Sequence, residues 1–247
     1  MKRIGAIVSS SLKNNFQAMS LVVVYLGILL ICTATIGFIG CKVVLGAALA
    51  SSQSPENIAY YIEIIAYSSA IVLTGISYTV LFSVPLAREK TRGNIEALLA
   101  TRVTERELLV AKSLALFVPG FIAGEGIPFL MSIFMGNKYL GTPFAGFRDP
   151  IMVIGIYVAV PIVYYCLSIL MHLISLTGGV EGGTVVATIF LPCVAAVGIN
   201  LLARQTIDGR TGAFLIFNGI LMVILLCICL CVRHRFRKET IILSCRK

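Results

Sequence analysis

The sequence predicts an all-α integral membrane protein of six transmembrane helices, built as a single domain over residues 1–247. Three observations predict it. First, 58% of the residues are hydrophobic and only 13% are charged, against about 45–50% and about 25% in soluble domains, and the mean hydropathy is +0.98. Second, the chain divides into six long apolar runs separated by short polar segments; roughly 20 apolar residues cross a hydrocarbon core about 30 Å thick. Third, Lys and Arg are shared unevenly among those polar segments, which orders them into two sides.

Residues 1–18 place Ile4, Ile7, Val8, Leu12 and Phe16 on one helical stripe, with Lys2, Arg3, Lys13 and Asn14 elsewhere. That is the pattern of a helix lying in the membrane interface rather than crossing it. No small-residue cleavage site follows a short apolar run, so the N-terminus does not read as a secretory signal. Span 1 runs from about Leu21 to Gly40, with Lys42 and the Ser51–Asn57 stretch in a loop beyond it. Span 2, about Ile58 to Ala87, exceeds the core thickness and must tilt or project; Tyr60, Tyr61 and Glu63 suit its interface. Span 3, about Leu108 to Met135, contains Pro119-Gly120 and Gly124-Glu125-Gly126-Ile127-Pro128 and is expected to kink. A loop over Asn137–Pro150, span 4 at about Ile151–Leu176, a glycine-rich turn over Thr177–Gly183 and span 5 at about Thr184–Ala203 follow. The Arg204–Arg210 turn leads to span 6 at about Thr211–Val232, and residues 233–247 form a basic tail.

With both termini cytoplasmic, the outer loops hold five basic residues (Lys42, Lys138, Arg148, Arg204 and Arg210) and the inner segments hold the other fifteen of the twenty. The opposite orientation inverts that ratio, so positive charge places both ends inside. The net charge of +9 belongs to the flanks of the spans. No interleaved aromatic and basic residues accompany it, and nucleic-acid binding is not indicated.

One polar island interrupts the apolar runs at Arg88–Lys112, with five basic residues before its final lysine (Arg88, Lys90, Arg92, Arg102, Arg106) and four acids (Glu89, Glu96, Glu105, Glu107). Gly93-Asn94 breaks the helix descending from span 2, and Asn94 has a side chain able to cap a short new helix. Ile95, Leu98 and Leu99 share one face of that helix. Thr104 followed three residues later by Glu107 is a capping box opening span 3. The island therefore reads as a helical hairpin outside the bilayer, tipped by a short amphipathic helix.

This run, Glu89, Gly93-Asn94-Ile95-Glu96-Ala97-Leu98-Leu99-Ala100-Thr101, Val103-Thr104 and Glu107-Leu108-Leu109 with Lys112, resembles the signature of the ABC-2 type transporter permeases, the membrane subunits of type V-like ABC exporters. Asn94 stands where that family usually has Thr, and Arg102 where it usually has Pro. The resemblance implies that residues 88–107 form a cytoplasmic coupling helix between spans 2 and 3. By the same resemblance it would dock a separate ATP-binding subunit through Glu89, Gly93, Asn94, Ile95, Glu96, Leu98, Leu99, Thr104 and Glu107. Ile95, Leu98 and Leu99 would fill an apolar groove on that partner, and Glu96 would pair with a basic residue there. Residues 1–18 would be the family's elbow helix. Six spans would be half a pathway, so that two permease chains, identical or homologous, pair in the lipid of the plasma membrane, with export the usual direction. The family's longer segment between spans 5 and 6 is cut here to Arg204–Arg210.

No Gly-x-x-x-x-Gly-Lys-Ser/Thr loop occurs, so any ATP is bound by another subunit, and the chain implies no cofactor of its own. His-Glu-x-x-His and Gly-x-Ser-x-Gly are also missing from the sequence, and no paired carboxylates or Ser/Lys set for intramembrane chemistry stands out, so enzymatic activity is not expected. Glu125 is the one acid deep in an apolar run and must face the bundle interior or a water-filled cavity. It is a candidate contact on the substrate pathway or, equally, a hydrogen-bonding group at the kink. His172 reads as structural, and Glu181 reads as a solvated loop acid that could also touch a partner. The eight cysteines show no Cys-x-x-Cys spacing. Cys227 and Cys231 share a helical face, for which packing is the plainer reading and a soft metal the sharper one. Two other functional classes stand beside the permease. A secondary carrier would show inverted repeats and several mid-membrane charges, and a non-transporting anchor recruiting a cytosolic ATPase would need the island but not Glu125.

Overall fold

Among the residues it describes, 2–234 and 236–245, the computed structural model is built of helices alone. Arg235, Arg246 and Lys247 of the basic tail lie outside the described residues. In chain order the helices are α1 (Lys2–Asn15), α2 (Met19–Ala50), α3 (Pro55–Thr91), α4 (Asn94–Ala100), α5 (Glu105–Leu140), α6 (Pro150–Thr177), α7 (Val180–Ala203), α8 (Gly212–Arg233) and α9 (Lys238–Cys245). Six of them, α2, α3, α5, α6, α7 and α8, are long and apolar enough to cross a membrane, and the chain is a multi-pass helical membrane protein. The even number of crossings leaves α1, α4 and α9 at one end, here the terminal face, and residues 51–54, 141–149 and 204–211 at the other, the distal face.

The spans are longer than the apolar runs, because capping signals lie outside the hydrophobic letters. Ser54 starts α3 by accepting a hydrogen bond from the Asn57 N–H at 3.4 Å, with Pro55 in the first helical position. Asp149 starts α6, its Oδ1 accepting from the Ile151 and Met152 N–H groups at 2.8 and 3.2 Å. Both follow the rule that short polar side chains satisfy orphan donors at helix starts. Lys42, expected in a loop, sits within the helical α2, and the Asn137–Pro150 loop shrinks because α5 continues to Leu140. The Thr177–Gly183 turn shortens to Gly178-Gly179, which puts Glu181 in the first turn of α7 rather than in a loop. Residues 204–211 make a turn between α7 and α8 with no helix of their own.

The expected kink in α5 takes the form of a π turn over Ile122–Gly126, and α6 has a second over Gly155–Ala159. Each lies just before a proline, Pro128 and Pro161. A proline gives no N–H to the carbonyl four residues back and its ring presses on that carbonyl; a widened turn relieves the clash. A third π turn, over Ile39–Val44 in α2, has no proline behind it.

α3 is the central pillar: 61% of its most apolar window is buried, against 11% for α2, 19% for α7 and 17% for α8. Inside a membrane no water satisfies a stray polar group, so each must find a partner in the protein. α3 and α6 do this reciprocally: Tyr78 donates to the Tyr164 carbonyl at 2.9 Å, Tyr164 donates to the Ile71 carbonyl at 2.5 Å, and the two rings meet edge to face at 5.4 Å. The Tyr25 and Ser77 hydroxyls, 2.9 Å apart, join α2 to the same pillar. Glu63, expected at an interface, is 1% exposed and accepts from the Asp149 N–H at 3.1 Å, tying α3 to the start of α6.

Glycines let α5 approach the pillar. A Cβ on Gly124 would stand 1.8 Å from the Thr74 hydroxyl oxygen, which itself donates to the Ala70 carbonyl at 2.7 Å. Gly124→Ala must therefore separate α5 from α3 or break that bond. We expect a loss of about 1–3 kcal/mol, the usual cost of overpacking, read as a lowered midpoint in a thermal melt followed with a cysteine-reactive dye.

Candidate functional site

The terminal face is assembled on a buried ion pair. Glu89, in the last turns of α3, meets Lys112 of α5 directly. Both residues are buried, and the remaining hydrogen-bonding capacity goes to α1: Lys112 Nζ donates to Ser11 Oγ at 2.8 Å and Asn14 Nδ2 donates to Glu89 Oε1 at 2.8 Å. Asn15 adds a bond to the Ala115 carbonyl at 3.4 Å. A cavity of about 20 Å³ beside the pair, lined by Asn15, Glu89, Lys112 and His172 among others, has room for one water. His172 Nδ1 lies 2.9 Å from the Ser168 carbonyl, and its ring meets Phe82 edge to face at 5.0 Å. It is a packed residue of the bundle.

The same contacts explain the lie of α1. Ile7 is buried and Ile4 and Val8 pack on the core, so this part of the apolar stripe covers the first turns of α5, while Arg3, Ser9, Ser10 and Lys13 face outward. The ion pair and the stripe together clamp α1 across α3 and α5.

Between those two helices hangs α4. Gly93 sits at φ +70 and is the residue that caps α4; Asn94 occupies the first helical position, exposed, with no cap bond from its side chain. The expected cap is thus corrected, because the reversal after α3 needs a left-handed residue and glycine takes that conformation without strain. Thr101 closes the helix, donating to the Leu98 carbonyl at 2.6 Å. Thr104 and Glu107 form the predicted capping box in both directions, at 2.9 and 3.2 Å.

The apolar face of α4 is not free. Ile95 is 0% and Leu99 5% exposed, both within the core cluster that also holds Leu86, Val103, Phe236 and Ile241. Helix α9 packs alongside, so the chain covers with its own C-terminus the surface expected to enter a partner's groove. What faces out is Asn94, Ala97, Ala100 and Arg102, with Leu98 half-buried. Leu98, Ala97 and Asn94 border a groove of about 420 Å³ whose other wall is α1, through Ser10, Lys13 and Asn14, with Gln17 just beyond it. Glu89 is likewise an internal ion-pair partner rather than a surface contact.

Lys90, not singled out from the sequence, anchors α9. Its Nζ donates to the carbonyls of Ser175 at 2.6 Å and Gly178 at 2.8 Å and to Ser244 Oγ at 3.0 Å, while Ser244 donates to the Leu176 carbonyl at 2.8 Å. An ammonium suits the carbonyl end of α6, where the helix dipole is negative. Burial raises the Cys245 thiol above its ordinary range, with Lys90 opposing that shift and partly buried Glu96 adding to it. The signal for α9 was present in the sequence as Ile241-Ile242-Leu243 inside a basic tail.

Glu125 lies elsewhere. It sits in the π turn of α5, 7% exposed, away from α4, and its Oε2 has no hydrogen-bond partner among the described residues. Glu181 is exposed at the start of α7 beside the Gly178-Gly179 turn. Cys227 and Cys231 are both exposed on α8, and no group of three or more His, Cys, Asp or Glu able to hold a metal occurs among the described residues.

Comparison with known proteins identifies no relative: no family model matches the chain, and neither a curated protein nor a solved structure shows significant similarity.

The ion pair makes a clear prediction. Lys112→Met leaves the Glu89 carboxylate buried without a counter-charge and is expected to cost about 3–5 kcal/mol, whereas Glu89→Leu combined with Lys112→Met recovers most of that loss. Thermal melts of the two purified variants check it; equal destabilisation would show that the pair does not act as a unit.

Proposed function

We propose that the chain is the membrane-spanning permease subunit of an ATP-binding cassette transporter of the ABC-2 type, energised by a separate ATP-binding subunit. The observation that carries this reading is the hairpin α3–α4–α5. A seven-residue helix, bounded by a left-handed glycine and a capping box, stands between two membrane-length helices and bears the run that resembles the family's coupling segment. In this reading α1 is the elbow helix, and the terminal face with both termini is cytoplasmic, because fifteen of the twenty basic residues flank that side. The membrane would be the plasma membrane and the usual direction export.

The exposed spans support pairing with a second copy or a homologue. α8 turns large aliphatic residues outward, Ile216, Ile220, Val223, Ile224 and Leu230, as a lipid-facing helix does. α7 exposes Val185, Ile189 and Val197 as well, but among them stand Thr188, Pro192, Cys193, Ala196 and Asn200, small and polar residues of the kind enriched at helix–helix surfaces. A cleft of about 680 Å³ runs between α7 and α3, lined by Ser83, Val84, Thr184, Thr188 and Ile189 among others. Two such clefts facing each other would form the pathway. Glu125, in the π turn of α5, does not line this cleft, and the pathway role considered for it is not part of the proposal.

Docking would then use the outward groove rather than the covered apolar face. Two tests follow. A cysteine introduced at Asn94 in a cysteine-free background should label only from the cytoplasmic side; labelling only from outside overturns the orientation and the docking together. Ala97→Asp and Leu98→Asp should each abolish pull-down of the ATP-binding subunit while leaving the thermal melt of the permease nearly unchanged. Leu99→Asp should instead destabilise the permease itself. Wild-type pull-down and transport by both groove variants would defeat the coupling-helix assignment.

A further inference from the structure

On the distal face, five charged side chains border one cavity, and no two of them form an ion pair. The cavity holds about 230 Å³ and is lined by Glu56, Ala59 and Glu63 of α3, by Arg148 and Asp149 at the start of α6, and by Arg210 of the α7–α8 turn. The one ion pair among the described residues is Glu89–Lys112, on the terminal face. Carboxyl and guanidinium groups thus stand around a shared space without closing it.

The walls are fixed by bonds that leave these charges unbalanced. Glu63 is 1% exposed, and its Oε1 accepts from the Asp149 N–H at 3.1 Å. That neutral donor holds the carboxyl group in place but supplies no counter-charge. Asp149 Oδ1 is taken up by the first N–H groups of α6. The Arg210 guanidinium carbon lies 4.5 Å from the centroid of the Tyr60 ring, and Nη2 donates to the Glu56 carbonyl at 2.8 Å. The turn that carries it is pinned as well: the Gly209 N–H donates to Tyr60 Oη and the Arg210 N–H to Asp208 Oδ1, each at 3.0 Å. Arg148 is exposed at the rim, and its guanidinium has no partner among the described residues.

A carboxylate taken out of water calls for a positive partner. A guanidinium is shaped to meet the oxygens of a carboxylate or phosphate. Here the fold holds Arg210 on a ring and a backbone carbonyl, and gives Glu63 only a backbone N–H. One molecule satisfies both sides if it carries a positive group and an anionic group on one small frame. We propose that the distal cavity binds a small zwitterion, its ammonium on Glu63 and its anionic oxygens on Arg148 and Arg210. The same two groups occur on free solutes and on the headgroup of a zwitterionic lipid. The site belongs to this chain alone and does not rest on the permease reading.

The experiment uses the full-length protein in nanodiscs of phosphatidylglycerol, a lipid without an ammonium, titrated with phosphoethanolamine in a calorimeter. Saturable binding of one molecule per chain is expected. Ethanolamine alone and inorganic phosphate alone should each bind more weakly by about tenfold or more, because each meets one half of the cavity. Glu63→Gln keeps an oxygen for the Asp149 N–H and should weaken binding by about tenfold to a hundredfold, the fold-change of losing one charge-assisted contact. Arg148→Ala, at an exposed position, should weaken it by about tenfold and leave the thermal melt unchanged. Repeating the titration in nanodiscs doped with phosphatidylethanolamine separates the two sources. Loss of the signal with a higher melt assigns the site to the lipid headgroup, and an unchanged titration assigns it to a free solute. No saturable binding in phosphatidylglycerol, together with a melt that phosphatidylethanolamine does not raise, overturns the proposal. Binding that both variants leave intact, or that inorganic phosphate alone reproduces, overturns it equally.

Discussion

The Glu89–Lys112 pair is the interaction on which the terminal face depends. Two opposite charges out of water stabilise a fold only when their remaining donors and acceptors are also satisfied. Here Ser11 and Asn14 supply those partners from a third helix. Satisfying the pair therefore fixes α1 against α3 and α5 as a matter of electrostatics, and the apolar stripe of α1 then packs where the ion pair has placed it. Once α3 and α5 are held at this spacing, the short α4 between them has little freedom left.

A second node completes the assembly. Lys90 lies one residue beyond Glu89, so its side chain leaves α3 on a different face and reaches the end of α6 and the start of the α6–α7 turn. Through Ser244 it also holds α9, whose Ile241 packs in the same core cluster as Ile95 and Leu99. Adjacent residues of one helix thus grip opposite neighbours: Glu89 takes α1 and α5, Lys90 takes α6 and α9. A force applied to α4 would reach α3 and α5 directly, and α6 and α9 through Lys90.

Much of this was legible in the sequence, for identifiable reasons. Six spans follow from apolar length alone, and the Thr104–Glu107 box was readable because both partners lie within one helical turn. The α4 hairpin was readable because Gly93 punctuates it. What could not be read was the far end of each long-range bond. Nothing local marks Glu89 as the partner of Lys112, or Lys90 as the anchor of α9, and so an amphipathic helix with Ile95, Leu98 and Leu99 on one face looked like a surface awaiting a partner. The sequence shows that such a face must be covered; whether by the chain itself or by another protein is decided by tertiary contacts. The cap at Asn94 failed for a different reason. Asn and Gly compete at that position, and the need for a positive φ after α3 outweighed the side-chain hydrogen bond.

The polar groups inside the spans separate into two kinds, and the distinction bears on where chemistry can occur. Tyr78, Tyr164, Ser77 and Thr74 have partners and serve the packing of α3. Even the outward Thr184, Thr188 and Asn200 of α7 bond back to their own helix, at 3.1, 2.9 and 2.8 Å, which makes that face tolerable to lipid until a neighbour covers it. Glu125 Oε2 and Tyr157 Oη have no partner among the described residues, although both lie in a medium where an unsatisfied polar atom costs most. Each stands in a π turn, Glu125 in that of α5 and Tyr157 in that of α6, where the widened helix accommodates the proline that follows. The described side chains of α7 include no buried polar atom left without a partner, so the polar groups of that span are settled within their own helix, while those at the two π turns are not.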